Sequence, residues 1–386
     1  MKIRPNYRLV IALAILALAA LRQIGGELRP SFLRPGLHLY AYVGNAGDGT
    51  LSVLDLVRLS TVTTISVGSG PSGIRAHPTR KEIWGLSSAG GFAWVLDVRS
   101  NQIVARIPVG MAPYALDFSP DGSRAYVASS GSNSVAAIDC VTREIVARGP
   151  AGRRPWIARV SPDGKIVVVS NRDDSTVSLL SAQTLHPLGV ISVAPEPEQI
   201  AILPDSSKAF VTSGATNEIS VVDLNQRVLL TNIVLGGTPD DLVLKPDGGE
   251  LYIPSSSAHG LVIVNTQTNE AGDFLLLGMS PASATLSSDS ATLWVTDAGG
   301  AHVIRVAIHT RQIIPPGPIT VGQDPRTCAL SPGEDLLLVV DAGSNDVAVI
   351  RTKTLSNATG MLSPPNSPIT LIPVGARPRD LAFKIF

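Results

Sequence analysis

The sequence is poor in charge and in cysteine. Charged residues make up 16% of the 386 residues, and Lys+Arg and Asp+Glu balance at 31 each. No run of like charge occurs. Bulk attraction to nucleic acid or to an anionic membrane surface is therefore not expected. Only two cysteines are present, Cys140 and Cys328. They form neither CxxC nor CxxCH, which excludes a zinc ribbon, a thioredoxin motif and a c-type haem attachment site. The repeat register described below places them in distant units, so two free, buried thiols are expected. No GxSxG is present, and no spacing of Ser, His and Asp singles out a triad.

What is abundant is apolar residues, at 44%, with 35 Gly and 29 Pro. That combination suits many short strands joined by tight turns. A phrase of small or apolar residue, Gly, two residues and Pro recurs as "VGSGP", "VGMAP", "AGRRP", "LGGTP", "LGMSP", "VGQDP" and "VGARP". "VAPEP" is the same phrase without its Gly. The prolines are Pro71, Pro113, Pro155, Pro197, Pro239, Pro281, Pro325 and Pro378, spaced by 42 five times and then by 44 and 53. Such self-similarity governs the fold.

Apolar residues follow each proline at offsets of three and five, as in Leu116 and Phe118 or Ile200 and Ile202. This period of two marks a strand. Next come a "PDG"-type turn, a second strand, a Ser/Gly/Asn/Asp loop, and third and fourth strands. Four antiparallel strands in about 42 residues are one propeller blade, and a ring of blades buries the two apolar faces that each would expose alone. The expected fold is an all-β propeller of eight four-stranded blades, with seven as the alternative. The eighth unit is split. "PRDLAFKIF" at the C-terminus supplies one strand, and the segment from His38 onward supplies the other three. Asp55, Asp97, Asp139 and Asp223 end third strands and are expected to hold turns. Tyr42, Trp84, Tyr126, Phe210, Tyr252 and Trp294 recur at one register position and are expected to pack between blades.

"AYVGN" (41–45), "AYVAS" (125–129), "AFVTS" (209–213) and "LWVTD" (293–297), with "SPDG" ahead of the second, resemble the repeats of the YVTN β-propeller family. The resemblance covers residues 38–386. It implies export and binding at a cell surface or in a periplasm. More remotely, the chain is similar to haem d1-binding and lactonase-type propellers. Fold alone does not supply function.

The N-terminus fits export. Lys2, Arg4 and Arg8 precede thirteen apolar residues, Leu9 to Leu21, short for a membrane span and suited to a signal peptide. Residues 1–21 are expected to be a signal peptide or a retained anchor, 22–37 a linker, and 38–386 the propeller. A Pro/Ser-rich insertion, 356–369, lengthens the seventh unit and carries an Asn357-Ala358-Thr359 sequon.

Function is expected where the repeat varies. Residues flanking the repeat prolines ring the channel mouth, on loops held by a rigid scaffold. Tyr114, Arg153, Arg154 and Trp156 form one sector. Glu196, Glu198, Asp240 and Asp241 form the next, and Arg326, Arg377 and Arg379 stand across the ring. Such a funnel suits a small polar ligand or a peptide, with arginine forks gripping carboxylates or phosphates. A monomeric, non-enzymatic binding or scaffold protein without a cofactor is expected. The alternative is a lactonase-like hydrolase or a haem d1-type carrier. For a metal, the candidates are His259 and His302 on mouth loops, with Asp297 and Asp341 near them, but no third fixed ligand is evident.

Overall fold

The computed structural model describes residues 38–353, 355–356, 362–363 and 368–386. The expected signal segment, the linker and the sequon lie outside these residues. Eight antiparallel four-stranded units form the ring. Blade 1 combines Leu39–Asn45, Thr50–Asp55 and Ser60–Ser66 with the C-terminal strand Pro378–Ile385. Blades 2 to 8 begin at or near their repeat prolines. Blade 3, for example, runs through Pro113–Phe118, Arg124–Ser129, Ser134–Asp139 and Ile145–Pro150. The strand that follows the repeat proline lies innermost in each blade, so in blade 1 this is Pro378–Ile385. The split blade closes as its halves require: Leu39 pairs with Ile385, Val43 with Leu381, and Asn45 with Pro378.

The core lies between blades, because each sheet buries both faces. All six residues of the recurring aromatic series are at most 4% exposed. Trp84 packs with Leu116, Val127 and Cys140 of the following blade. Cys328 packs with Trp294 across another blade boundary. Both thiols are free and buried, and burial pushes Cys140 up to about 12.

The turns follow their side-chain chemistry. Asp139 Oδ1 accepts the N–H groups of Val141 and Thr142, both at 2.8 Å, and Asp55, Asp97 and Asp223 repeat the motif. In blade 6 Asn265 does the same work. The residue four positions on takes a left-handed φ, as in Arg143 at 62° and Asn269 at 58°. In the "PDG" turns Gly122 and Gly164 take φ of 70° and 71°.

Two units depart from the repeat. The fourth strand of blade 7 is split into Gln312–Ile313 and Ile319–Thr320, because Pro315 and Pro316 cannot donate to the ladder. In blade 8 the insertion joins Asp346–Arg351 to Pro368–Pro373. It is not wholly irregular, since Leu355–Ser356 pairs with Leu362–Ser363.

Candidate functional site

The mouth is built by a strained turn repeated around the ring. The residue before the proline takes a left-handed φ in six blades: Gly70, Ala112, Arg154, Glu196, Asp324 and Arg377, between 48° and 65°. For the five that are not glycine this costs about 1–2 kcal/mol each. A hydrogen bond holds each turn. The carbonyl of that residue accepts the N–H just beyond the blade's second strand, from Ser130 to Ala112 at 3.0 Å and from Arg172 to Arg154 at 3.1 Å. Two loops are thereby locked together, and the residues beside the proline are carried into the mouth.

The two glutamates of the acidic sector are neutralised by a residue that the repeat phrase does not contain. Arg172, on the loop after the second strand of blade 4, reaches Glu196 Oε2 at 2.7 Å and Glu198 Oε1 at 3.0 Å. Its guanidinium also lies 5.0 Å from the Trp156 ring centroid. Trp156 stacks on Tyr114 with centroids 3.6 Å apart and a 24° interplanar angle. Arg154 lies over the same indole at 5.6 Å and approaches Asp173 at 3.5 Å. Arg153 pairs with Asp174. Burial raises the Glu198 carboxyl above its ordinary range, with Arg172 opposing. Burial pushes the Tyr114 hydroxyl up to about 12. Asp240 faces solvent and accepts the Ser256 N–H.

The opposite sector is different. Arg326, Arg377 and Arg379 line one cavity of about 690 Å³ with Asp324, Thr327, Ala342, Gly343, Asn345 and Asp380. Arg326 is paired with Asp324 at 2.7 Å. Among the described residues, Arg377 and Arg379 have no carboxylate oxygen within 4 Å.

Below the mouth lies a polar belt that the mouth positions do not include. Asp241, two residues beyond its proline, points into the channel rather than around the rim. It accepts Ser283 Oγ at 2.8 Å and the Ala284 N–H at 3.1 Å from blade 7. Burial raises its carboxyl above the ordinary range. Asp380 holds the same place in blade 1, and burial raises its carboxyl above the ordinary range, opposed first by Arg75 and then by the backbone of Ile74 and Gly73. Arg75, Asp117 and Arg159 stand four residues beyond their prolines. The signal was in the sequence: when offsets of three and five face the core, offsets of two and four face the channel. A cavity of about 270 Å³ joins mouth to belt, lined by Ser72, Arg75, Tyr114, Arg159, Arg379 and Asp380 among others.

Beneath the arginine cavity, the loop from Ala342 to Asn345 starts and ends on carboxylates. Asp341 is fully buried, and its Oδ2 accepts the Gly322 N–H at 3.1 Å. Its other oxygen faces Asp346, and neither Asp341 Oδ1 nor Asp346 Oδ1 has a donor among the described residues. In blades 1 and 4 the same two positions are a donor and an acceptor. Asn45 donates to Thr50 at 2.9 Å, and Asn171 donates to Thr176 at 3.0 Å. In blade 8 two acceptors meet, and a proton kept on Asp341 supplies the missing donor. Burial and Asp346 together push Asp341 up to about 8.

The two mouth histidines are separated in role. His259 Nδ1 contacts the Met279 carbonyl at 2.6 Å, while His302 begins the third strand of blade 7 opposite Asp297. Asp297 is used by the N–H groups of Met279 and Ser280. Among the described residues no group of three His, Cys, Asp or Glu side chains is placed to hold a metal ion.

Residues 50–240 match the Choice-of-anchor I domain family. No curated protein matches the chain by sequence. Among solved structures, the chain is similar to the dihydro-heme d1 dehydrogenase NirN in complex with DHE. The TM-score is 0.70 at 16% identity, covering 92% of this chain and 76% of that one. It is similar to a proposed 6-phosphogluconolactonase from Bacteroides fragilis, with TM-score 0.60 at 16% identity, covering 92% and 99%. Kuenenia stuttgartiensis hydrazine synthase gives TM-score 0.59 at 19% identity, covering 73% and 96%. At these identities the likeness is one of fold, and the chain is an eight-bladed β-propeller of four-stranded sheets that shares a Choice-of-anchor I match.

Proposed function

We propose that this propeller is an exported, non-enzymatic binding protein that takes an anionic ligand at its channel mouth. The observation that carries the reading is the arginine cavity. Arg377 and Arg379 face a volume of about 690 Å³, ample for a small molecule, with no carboxylate of the protein within 4 Å among the described residues. Guanidinium forks left open in a concave site are suited to carboxylates and phosphates. The carboxylates that a hydrolytic reading would use are committed elsewhere: Glu196 and Glu198 to Arg172, Asp240 to a backbone N–H.

The test is calorimetric titration of the full chain with orthophosphate at low salt. Replacing Arg377→Gln and Arg379→Gln together is expected to weaken binding at least tenfold, as roughly 1.5–3 kcal/mol is lost with each charged hydrogen bond. Unchanged affinity would remove the cavity from the reading. The N-terminal segment supports the setting: a basic start and a thirteen-residue apolar run suit secretion to a periplasm or cell surface. N-terminal sequencing of the protein from its native cells is expected to begin beyond Leu18, and an intact Met1 in a cytoplasmic fraction would contradict export.

A further inference from the structure

Resting on the mouth reading, we propose that the ligand carries two separated oxyanion groups, the outer held by Arg377 and Arg379 and the inner by Arg75 and Arg159. The two cavities adjoin, since Arg379 and Asp380 line both. The smaller one leads from the mouth down to the two inner guanidiniums.

Neither inner arginine has an ion-pair partner within 4 Å among the described residues. The only side-chain hydrogen bond of Arg75 among the described residues is a long one, 3.5 Å, to the carbonyl of its neighbour Ile74. Two acidic groups of the belt are held by other donors. Asp117 accepts the Val160 N–H at 3.0 Å and Asp241 takes Ser283 and Ala284, while Asp380 faces Arg75 and the backbone of Gly73 and Ile74. The belt thus gives Asp117 and Asp241 hydrogen-bond donors, while neither guanidinium is held in an ion pair within 4 Å among the described residues. A charge held deep in a protein without a partner is costly, and it persists where something else supplies the counter-charge. Burial, with Arg75 adding to it, holds the Arg159 guanidinium below its ordinary value against the opposing pull of Asp117 and Asp241, and an oxyanion between the two arginines relieves both lowering effects.

Tyr114, Leu116 and Ile157 line the smaller cavity, and its one carboxylate, Asp380, is held above its ordinary range by burial, so a short linker joining the two anionic groups meets apolar and aromatic surface. Two groups linked in one molecule also gain effective concentration over two separate ions. The same chemistry serves condensed phosphates and aliphatic dicarboxylates.

The test titrates the full chain with orthophosphate, tripolyphosphate, acetate and glutarate. The expected result is that tripolyphosphate binds at least tenfold tighter than orthophosphate, or glutarate at least tenfold tighter than acetate. The pair that shows the gain identifies phosphate or carboxylate chemistry. Arg159→Gln is expected to abolish that gain and leave the single anion within twofold, while Arg159→Lys retains most of it. Melting curves of the unliganded variants check folding, and no loss of stability is expected on removing an unpaired deep charge. If linked and single anions bind alike, and the outer double variant weakens both, the inner subsite is refuted and the mouth reading stands. If no anion binds, or the outer variant changes nothing, the mouth reading fails and takes this proposal with it.

Discussion

Deleting residues 379–386 is expected to destabilise the propeller by more than about 5 kcal/mol and to leave an aggregation-prone chain. The strand Pro378–Ile385 pairs along the whole of Leu39–Asn45 and is the innermost strand of blade 1. Its loss strips a row of backbone N–H and C=O groups from a buried strand, each worth about 1 kcal/mol net and more when left unsatisfied. It also removes Leu381 and Phe383 from the core shared with blade 8, and Ala382 from the core shared with blade 2. Fully burying a side chain of the first two kinds is worth roughly 1.5–3 kcal/mol, and these two, half-buried, contribute part of that. Together these losses approach the whole stability of an ordinary protein, about 5–15 kcal/mol. The contacts of the terminus itself go as well: Phe386 exchanges two hydrogen bonds with His38 and meets the Tyr40 ring edge-on at 5.2 Å. The ring is then open, and an unpaired inner edge is a template for other chains. Denaturant titration and light scattering of the truncated and full chains measure this. A truncated protein that unfolds at the same denaturant concentration would mean that the ring is not closed by this strand. Phe383→Ala, expected to cost about 3 kcal/mol, gives a milder measure of the same contact.

The split blade was legible because the repeat proline sets a register and the two terminal pieces complete one another within it. The same register showed the mouth turns, the Asp turns after the third strands and the aromatic series between blades. What it did not show was pairing across loops. Glu196 and Glu198 read as open acidic groups beside their proline, yet Arg172 neutralises both from a loop whose length and direction the repeat does not encode. Trp156 and Tyr114 read as separate aromatic residues one repeat apart, and the ring curvature brings their faces to 3.6 Å. Arg75, Asp117 and Arg159 escaped notice for another reason. Attention to the core offsets and to the residues touching the proline passed over the alternate offsets, which line the channel. Asp241 was found as a mouth residue and stands instead in the belt. Arg377 and Arg379 stand beside their proline as the register places them, and no carboxylate oxygen comes within 4 Å of either among the described residues.

The second large effect is in blade 8, where wild-type stability is expected to fall as pH rises through about 8 and Asp341→Asn is expected to remove that fall. In the native state Asp341 keeps its proton up to about 8, pushed there by burial and by the neighbouring Asp346. In the unfolded chain its carboxyl titrates at the ordinary value near 3.9. Between those limits the folded state binds more protons than the unfolded state, so the stabilisation present at acid pH is lost progressively upward. Above pH 8 the buried Asp341 carboxylate faces that of half-buried Asp346, with no donor to either Oδ1 among the described residues. The variant supplies one. Its side-chain oxygen keeps the Gly322 N–H, as Asn171 keeps that of Gly152, and its amide donates to Asp346 as Asn171 donates to Thr176. The expected gain over wild type is on the order of 3 kcal/mol at pH 9 and within about 1 kcal/mol of zero at pH 5, where the proton on Asp341 already does the same work. Denaturant unfolding of both proteins across pH 5–9 measures the difference, and comparing them at each pH cancels the titration of all other groups. A difference that does not change with pH would refute the proton held on Asp341. The pair also touches the binding reading, because the loop it secures, Ala342 to Asn345, lines the cavity of Arg377 and Arg379. Loss of the proton strains that wall, so orthophosphate affinity of the wild type is expected to fall between pH 7 and 9 more steeply than that of the Asp341→Asn variant.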